Sequence, residues 1–300
     1  MAKFKSGFVS IIGRTNVGKS TLINTIIGEK VAAVVNKSQT TRTAIKAIVN
    51  RENSQIIFID TPGIHKPKTK LGEIMLDTTY KVIKDVELVV FLIDATSTQI
   101  NKGDNIILEK LHQDNKKVIL VINKIDLVKK EHLLELINIY KNAYDFQEII
   151  PISAKSKKDT EKLLEEIEKL LPEGPIYYDK DEFTDQTERQ LIEEIIREKS
   201  LQFLSEEIPH GIYVETEKMQ LSKTKKKEKI YNINACIYCI RESHKGIIIG
   251  KNGDMLKKIA TASRYEMEKL LQTKVNLSVW VKVDKDWQNR NNVVDKFKLK

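Results

Sequence analysis

The chain has 300 residues, 41% of them hydrophobic and 31% charged, more than one core usually holds, so two domains are expected. No apolar run reaches membrane-span length, residues 1–6 lack the apolar stretch of a secretory signal, and two cysteines make no disulfide framework; the expected setting is the cytoplasm. Lys+Arg number 51 against 42 Asp+Glu, and the excess of +9 favours an anionic partner, nucleic acid or a membrane surface.

Up to Leu171, apolar runs alternate with helical periodicity. Strands are predicted at 8–12, 44–49, 55–59, 88–93, 117–122 and 148–152, and amphipathic helices at 21–27, 71–84, 105–112, 131–143 and 160–171. Most strand runs are continuous Val, Ile and Leu, as strands buried on both faces should be. The alternation predicts a doubly wound α/β sheet. The second and third runs are too close for a crossover helix, so they should form a hairpin with one antiparallel strand at the edge.

Pro172, Gly174 and Pro175 end this pattern, and the charge changes with it. Residues 1–171 carry a net +6, 172–240 a net −4 and 241–300 a net +7. Residues 172–184 therefore read as an acidic linker between a domain over 1–171 and another over 185–300. Asp185 with Glu188 is expected to cap a long helix. Strands follow at 212–220 and 229–241, joined by a lysine-rich tip at 223–227. Then come a short helix to 249, Gly250-Lys251-Asn252-Gly253, a helix to about 271 and a strand near 275–283.

Four polar groups fall at strand ends, where an open α/β sheet binds ligands. Residues 13–20 fit G-x-x-x-x-G-K-[ST] between a strand and a helix. In that setting Gly13, Arg14, Thr15, Asn16, Val17 and Gly18 wrap a polyphosphate with backbone N–H groups. Lys19 neutralises the β/γ-phosphates, the Ser20 hydroxyl takes Mg²⁺, and Thr21 continues the helix. Asp60-Thr61-Pro62-Gly63 follows the third strand. Asp60 is placed to hold Mg²⁺ through water and the Gly63 N–H to meet the γ-phosphate, with Thr61, Pro62 and Ile64 alongside. Asn123-Lys124-Ile125-Asp126 follows the fifth strand and Ser153-Ala154-Lys155 the sixth. Guanine offers two adjacent donors, N1–H and the 2-amino group, which the Asp126 carboxylate accepts together. Adenine would leave that carboxylate unpaired, a cost of about 2–5 kcal/mol. The Lys124 stem would cover the base, Asn123 would brace neighbouring loops, and the Ala154 N–H would meet guanine O6.

Over residues 1–171 this order of motifs resembles the translation-factor-related GTPases. Ser38-Gln39-Thr40-Thr41-Arg42 looks like switch I of the Era-type subgroup. The resemblance implies GTP and GDP as ligands, with Ser20, Asp60 and Thr41 around Mg²⁺, Thr40 being the alternative to Thr41. It implies Asn16, Lys19, Thr41 and Gly63 as the catalytic set. Ile64 stands where Ras-type enzymes carry a water-orienting Gln, and Ile has no donor or acceptor, so another group must serve. Asn16 matches the position that in related GTPases helps bind K⁺, which implies K⁺-stimulated hydrolysis. Thr15 replaces the family's usual Pro, with little consequence expected. His65 is the histidine nearest the chemistry.

The second half, α-β-β-α-α-β with Gly-x-x-Gly between two helices, resembles a bacterial-type (type II, α+β) KH domain, whose loop clamps single-stranded RNA. Gly250 and Gly253 let the backbone approach phosphates, Lys251 adds charge beside Asn252, and Lys245, Lys257, Lys258 and Arg264 extend the track. A GTPase domain followed by one KH domain resembles the Era family over essentially the whole chain; 194–199, 244–258, 279–283 and Asp286-Trp287 match its pattern. That resemblance implies a GTP-hydrolysing switch that binds small-subunit (16S) rRNA near its 3′ end in 30S assembly. It also implies a cytoplasmic monomer with peripheral contact to an anionic inner membrane. The lysine tip reads as a solvated hairpin end, and Trp280 and Trp287 as structural.

Cys236 and Cys239 are three apart on a strand, facing opposite ways, and no second pair exists, which argues against a metal or redox site. Two other readings stand beside the first. A tRNA-modifying GTPase sharing Thr40-Thr41-Arg42 would need a modification domain and cysteine that the chain does not show. An RNA-binding module with a degenerate nucleotide site is at odds with intact Lys19, Ser20, Asp60 and Asp126.

Overall fold

The apolar runs of the first half become β1 (Lys5–Ile12), β2 (Ile45–Asn50), β3 (Ser54–Asp60), β4 (Leu88–Asp94), β5 (Val118–Asn123) and β6 (Glu148–Ile152). The helices between them are α1 (Lys19–Ile27), α2 (Lys70–Asp85), α3 (Lys102–Asp114), α4 (Lys130–Lys141) and α5 (Lys157–Leu170). A computed structural model describes residues 3–28, 32, 42, 44–63, 67, 69–205, 208–223 and 228–297. It divides into two compact units, one ending at Asp185 and including 295–297, the other Gln186–Val294.

In the first unit the strand order is β2-β3-β1-β4-β5-β6, parallel except for β2, which pairs antiparallel with β3 at the edge. The continuous apolar runs are explained by two cores. In β4, Val90 and Leu92 face α1 and α5 through Leu22, Ile23, Leu163 and Ile167. Val89, Phe91 and Ile93 face the other way, towards Val82, Ile107, Leu111 and Leu136 of α2, α3 and α4. A strand covered on both sides has no polar face to alternate. The helices begin earlier than periodicity indicated where a cap allows it. Gly18 at φ 105° caps α1, which places Lys19 and Ser20 in the first turn.

Residues 172–184, read from sequence as a linker, are fastened to the first unit. The Ser6 N–H donates to Pro172 O at 3.1 Å and the Ile48 N–H to Phe183 O at 2.9 Å. Buried Gln55 accepts from the Tyr177 and Tyr178 N–H groups and donates to Tyr178 O. Thr184 bridges Ala47 antiparallel, so the edge strand β2 is covered rather than open.

The second unit runs α6 (Glu188–Phe203), β7 (Ile212–Lys223), β8 (Lys229–Cys239), α7 (Glu242–Ile249), α8 (Asp254–Leu271) and β9 (Lys274–Val283). β8 is central, antiparallel to β7 and parallel to β9. One sheet face packs on the helices through Ile196, Ile233, Ile237, Ile248, Ile259 and Met267. The cap of α6 differs from expectation. Thr187 and Gln190 form a reciprocal capping box, while the Asp185 carboxylate pairs with Lys46 at 3.1 Å. Asp185 is committed to that ammonium, and the next hydroxyl residue caps instead.

Cys239 lies in the helix-side core and Cys236 on the opposite face, both thiols pushed up by burial, Cys236 to about 11. Trp287 is fully buried and donates to Gly211 O at 3.1 Å. Trp280 is half-buried beside Lys282. Among the described residues no helix is long and apolar enough to cross a membrane.

Candidate functional site

At the carboxyl ends of β1, β3, β5 and β6 the four motifs converge. Gly18 is required by its conformation and by space: a Cβ there would lie 2.2 Å from Asn123 Nδ2. That amide is the brace between motifs. Asn123 Nδ2 donates to Val17 O at 2.7 Å, and its Oδ1 accepts the Ala154 N–H at 2.8 Å. The bracing role is as expected. The Ala154 N–H, however, points at Asn123 rather than standing ready for guanine O6, because a buried amide satisfies both of its ends. The Ser153 N–H is taken by Asp159 Oδ2 at 2.9 Å, and Lys155 is exposed.

Lys19 is buried, with its ammonium on Gly13 O at 3.0 Å and Arg14 O at 2.9 Å. Burial lowers its pKa to about 8, against the pull of Asp60. The sign is clear. The unfolded chain holds this proton up to about pH 10.5 and the folded chain only to about pH 8, so fold stability rises with pH between them. If the Lys19 ammonium binds phosphate, nucleotide binding goes the other way. The dissociation constant for a fluorescent GDP should be level below pH 7.5 and weaken about tenfold by pH 9. A constant value across that range would exclude Lys19 as the phosphate-binding charge.

Ser20 Oγ stands 3.3 Å from Asp60 Oδ2, and Asp60 is fully buried. A hydroxyl and a carboxylate so placed are the hard oxygen donors that Mg²⁺ prefers. Thr61 faces inward, its hydroxyl on Ile11 O at 3.0 Å, so its side chain braces β3 against β1. The Pro62 carbonyl is tied to Thr79 of α2. Gly63 lies against the phosphate loop: a Cβ there would be 2.8 Å from Thr15 Cγ2 and 3.4 Å from Lys19 Nζ. Thr15 thus contributes a methyl at the Gly63 contact. Thr21 lies in the first turns of α1, its carbonyl accepting from Thr25. Thr40, Thr41, Ile64, His65 and the tip at 224–227 fall outside the described residues.

At the end of β5, Lys124 adopts φ 68° and sends its ammonium to Asn16 O at 2.9 Å and Asp94 Oδ2 at 2.6 Å. Burial would raise the Asp94 pKa, but its bonds from Lys124 and Thr96 outweigh this and hold it low. Asp126 is exposed on the short turn Ile125–Leu127. Asn16, at φ 65°, holds an exposed position on the loop rim. Sequence reasoning missed Asp94; its place at the polar end of β4, level with Asn123 of β5, was the available signal. Arg14 turns away from the loop interior, towards Asp104 of α3.

The second site is the turn between α7 and α8. Gly250 at φ 74° admits no side chain, since a Cβ would lie 2.7 Å from Met255 Cβ. Asn252 (φ 53°) and Gly253 (φ 82°) complete a tight reversal that exposes Lys251 and Asn252. Lys257 is exposed, Lys245 half-buried, and Ile247 beside them is 52% exposed. Arg264 lies over the Tyr265 ring near Glu268. Lys258 is exposed as well, and its ammonium rests 4.4 Å from the centre of the Phe203 ring of α6.

Comparison with known proteins matches residues 8–124 to the family of 50S ribosome-binding GTPases and residues 207–288 to the KH domain. The chain is 50% identical to GTPase Era of Caldanaerobacter subterraneus over 98% of its length and 97% of that protein's. It is 52% identical to GTPase Era of Clostridium tetani, over 97% of both chains. Among solved structures, a variant of Aquifex aeolicus Era bound to GDP·AlF₄⁻ superposes with a TM-score of 0.92 at 38% identity, covering 99% of this chain and 100% of that one. Era in complex with MgGDPNP and nucleotides 1506–1542 of 16S ribosomal RNA gives 0.90, at the same identity and coverage. Both halves match in one order from end to end, and this chain belongs to the Era family of GTPases.

Proposed function

We propose that this GTPase is a switch in assembly of the small ribosomal subunit, binding 16S rRNA near its 3′ end through the turn at 250–253. The observation that carries the reading is one chain holding both a full set of guanine-nucleotide motifs and a positively charged Gly-x-x-Gly reversal between two helices. The solved relative that holds a GTP analogue and a 3′ segment of 16S rRNA supports it. Mg²⁺ held by Ser20 and Asp60, with Thr41 from the preceding segment, would neutralise charge on the β/γ-phosphates. Lys19 and the loop N–H groups bind and orient the phosphates, Asp126 selects the base, and the Gly63 N–H meets the γ-phosphate. GTP would engage Thr41 and the Gly63 N–H, and hydrolysis would release them. Its place of action is where the 30S subunit is assembled, the cytoplasm, as a monomer. The net charge of +9 supports a secondary, peripheral contact with anionic membrane.

The RNA arm is tested by crosslinking the chain to RNA in cells, beside a variant with Lys251→Asp and Asn252→Asp. A peak at the 3′ end of the small-subunit rRNA, lost in the variant, is expected. Scattered crosslinks would turn the function towards a membrane or protein partner.

Hydrolysis also needs a group in place of the Gln that Ile64 displaces. Separately, K⁺ held with the help of Asn16 would supply positive charge beside the phosphates, the work of an arginine finger, and the exposed position of Asn16 on the loop rim supports it. GTP turnover should be on the order of tenfold faster in KCl than in NaCl at equal ionic strength, and Asn16→Ala should remove the difference. Equal rates for the unmodified chain would refute the assignment.

A further inference from the structure

Arg14, second residue of the phosphate-binding loop, donates from Nε to both Asp104 oxygens, at 3.0 and 3.1 Å, and from one terminal nitrogen to Ser97 Oγ at 3.2 Å. Asp104 is fully buried in the first turn of α3. It also accepts from Tyr140 of α4 at 3.0 Å and from Asn101 at 3.4 Å. Tyr140 is itself fully buried, edge-on to Phe91 of β4, and burial together with the neighbouring carboxylate keeps its phenol protonated, able to donate to Asp104. The Arg14 stem crosses α3 at Gly103, where a Cβ would stand 2.9 Å from Arg14 Cδ.

Packing of α3 and α4 on the sheet does not rest on this carboxylate alone. Ile107, Leu111 and Leu136 already join those helices to the sheet, and a buried carboxylate costs free energy unless paired. Its strongest partner is a residue of the phosphate loop, ninety positions away in sequence. The same Arg14 offers its carbonyl to the Lys19 ammonium at 2.9 Å. Asp104, Arg14 and Lys19 therefore form one chain of contacts from the α3–α4 layer to the charge that binds phosphate.

We infer that Asp104 is a positioning residue for the nucleotide. Acting through Arg14, it fixes the first turn of the phosphate loop, so that the loop N–H groups and Lys19 are set before the phosphates arrive. The guanidinium serves as an anchor on the protein side of the loop and not as a phosphate ligand. Pre-set donors bind and orient better than donors that must be ordered during binding.

The test uses the full-length chain. Asp104→Asn keeps the shape and one acceptor but removes the charge; Arg14→Gln removes the fork; Tyr140→Phe removes one donor and keeps the ring. For Asp104→Asn and for Arg14→Gln, GDP should dissociate about tenfold faster and kcat/KM for GTP should fall about tenfold. The double variant should be no worse than either, because both act through one contact. Tyr140→Phe should move the same two quantities about twofold, and it decides the matter if Asp104→Asn does not fold. Three results would overturn the inference: a lowered melting temperature with nucleotide kinetics within twofold of the parent, effects that multiply in the double variant, or tighter nucleotide binding once Arg14 is released. The inference rests on the nucleotide site alone. Failure of the unmodified chain to bind GDP would remove the site itself, a different outcome from all three.

Discussion

Replacing Asp126 by alanine should weaken GTP and GDP about 10²- to 10³-fold while leaving the fold intact. The magnitude follows from the loss of one carboxylate that accepts two donors on the base edge, about 2–5 kcal/mol in a desolvated contact. The fold should survive because Asp126 is exposed and its loop is held by other residues. Asn123 ties the phosphate loop to Ala154, and Lys124 is held by Asp94 and Asn16 O. Asp126→Asn makes a sharper test. An amide presents one acceptor and one donor, which fits xanthine, whose C2 oxygen accepts where guanine's amino group donates. Titration with a fluorescent GDP, competed by GDP or xanthosine diphosphate, should show preference passing to the xanthine nucleotide in that variant. Equal binding of guanine nucleotide by the parent and Asp126→Ala would mean that another residue reads the base.

The second large effect belongs to Lys251→Asp with Asn252→Asp. The charge at the apex of the turn proposed to approach RNA phosphates then becomes three units more negative. Binding to a synthetic RNA of the 16S 3′-terminal sequence should fall at least about 100-fold near 0.1 M salt, and the salt dependence of what remains should flatten. These positions are better probes than the glycines. A side chain at Gly250 would press on Met255 Cβ at 2.7 Å and distort the turn itself. Lys251 and Asn252 are exposed, and Asp tolerates the left-handed conformation at 252 (φ 53°). An unchanged melting curve with RNA binding within threefold of the parent would move the RNA contact off this turn.

Much of this molecule is written locally. The central strands of the first unit, β3, β4 and β5, were legible because they are buried on both faces, which leaves an unbroken apolar run. The nucleotide motifs were legible because each needs a fixed residue order at a strand end, and chain order alone brings those ends to one edge of a parallel sheet. The reversal at Gly250–Gly253 was legible for a similar reason: only a short glycine-bounded turn joins those helices. What escaped the sequence is the choice of partner by polar side chains. Asp185 fits the cap of α6 on spacing alone, but tertiary folding brings Lys46 to it and Thr187 takes the cap. Residues 172–184 look like a tether, yet Gln55 and the β2 edge hold their backbone. The contact of Lys258 with the Phe203 ring of α6 is not readable from the sequence. For Arg14 the sequence assigns only a backbone N–H, and it is α3 that gives the side chain its partner, Asp104. By itself the sequence determined the elements, their order, and the four strand-end motifs with the Gly-x-x-Gly turn, because periodicity and turn chemistry act over a few residues. Only the tertiary structure decided which charges meet, because a carboxylate takes whichever donor the packed helices and sheet bring within about 3 Å, however distant in the chain.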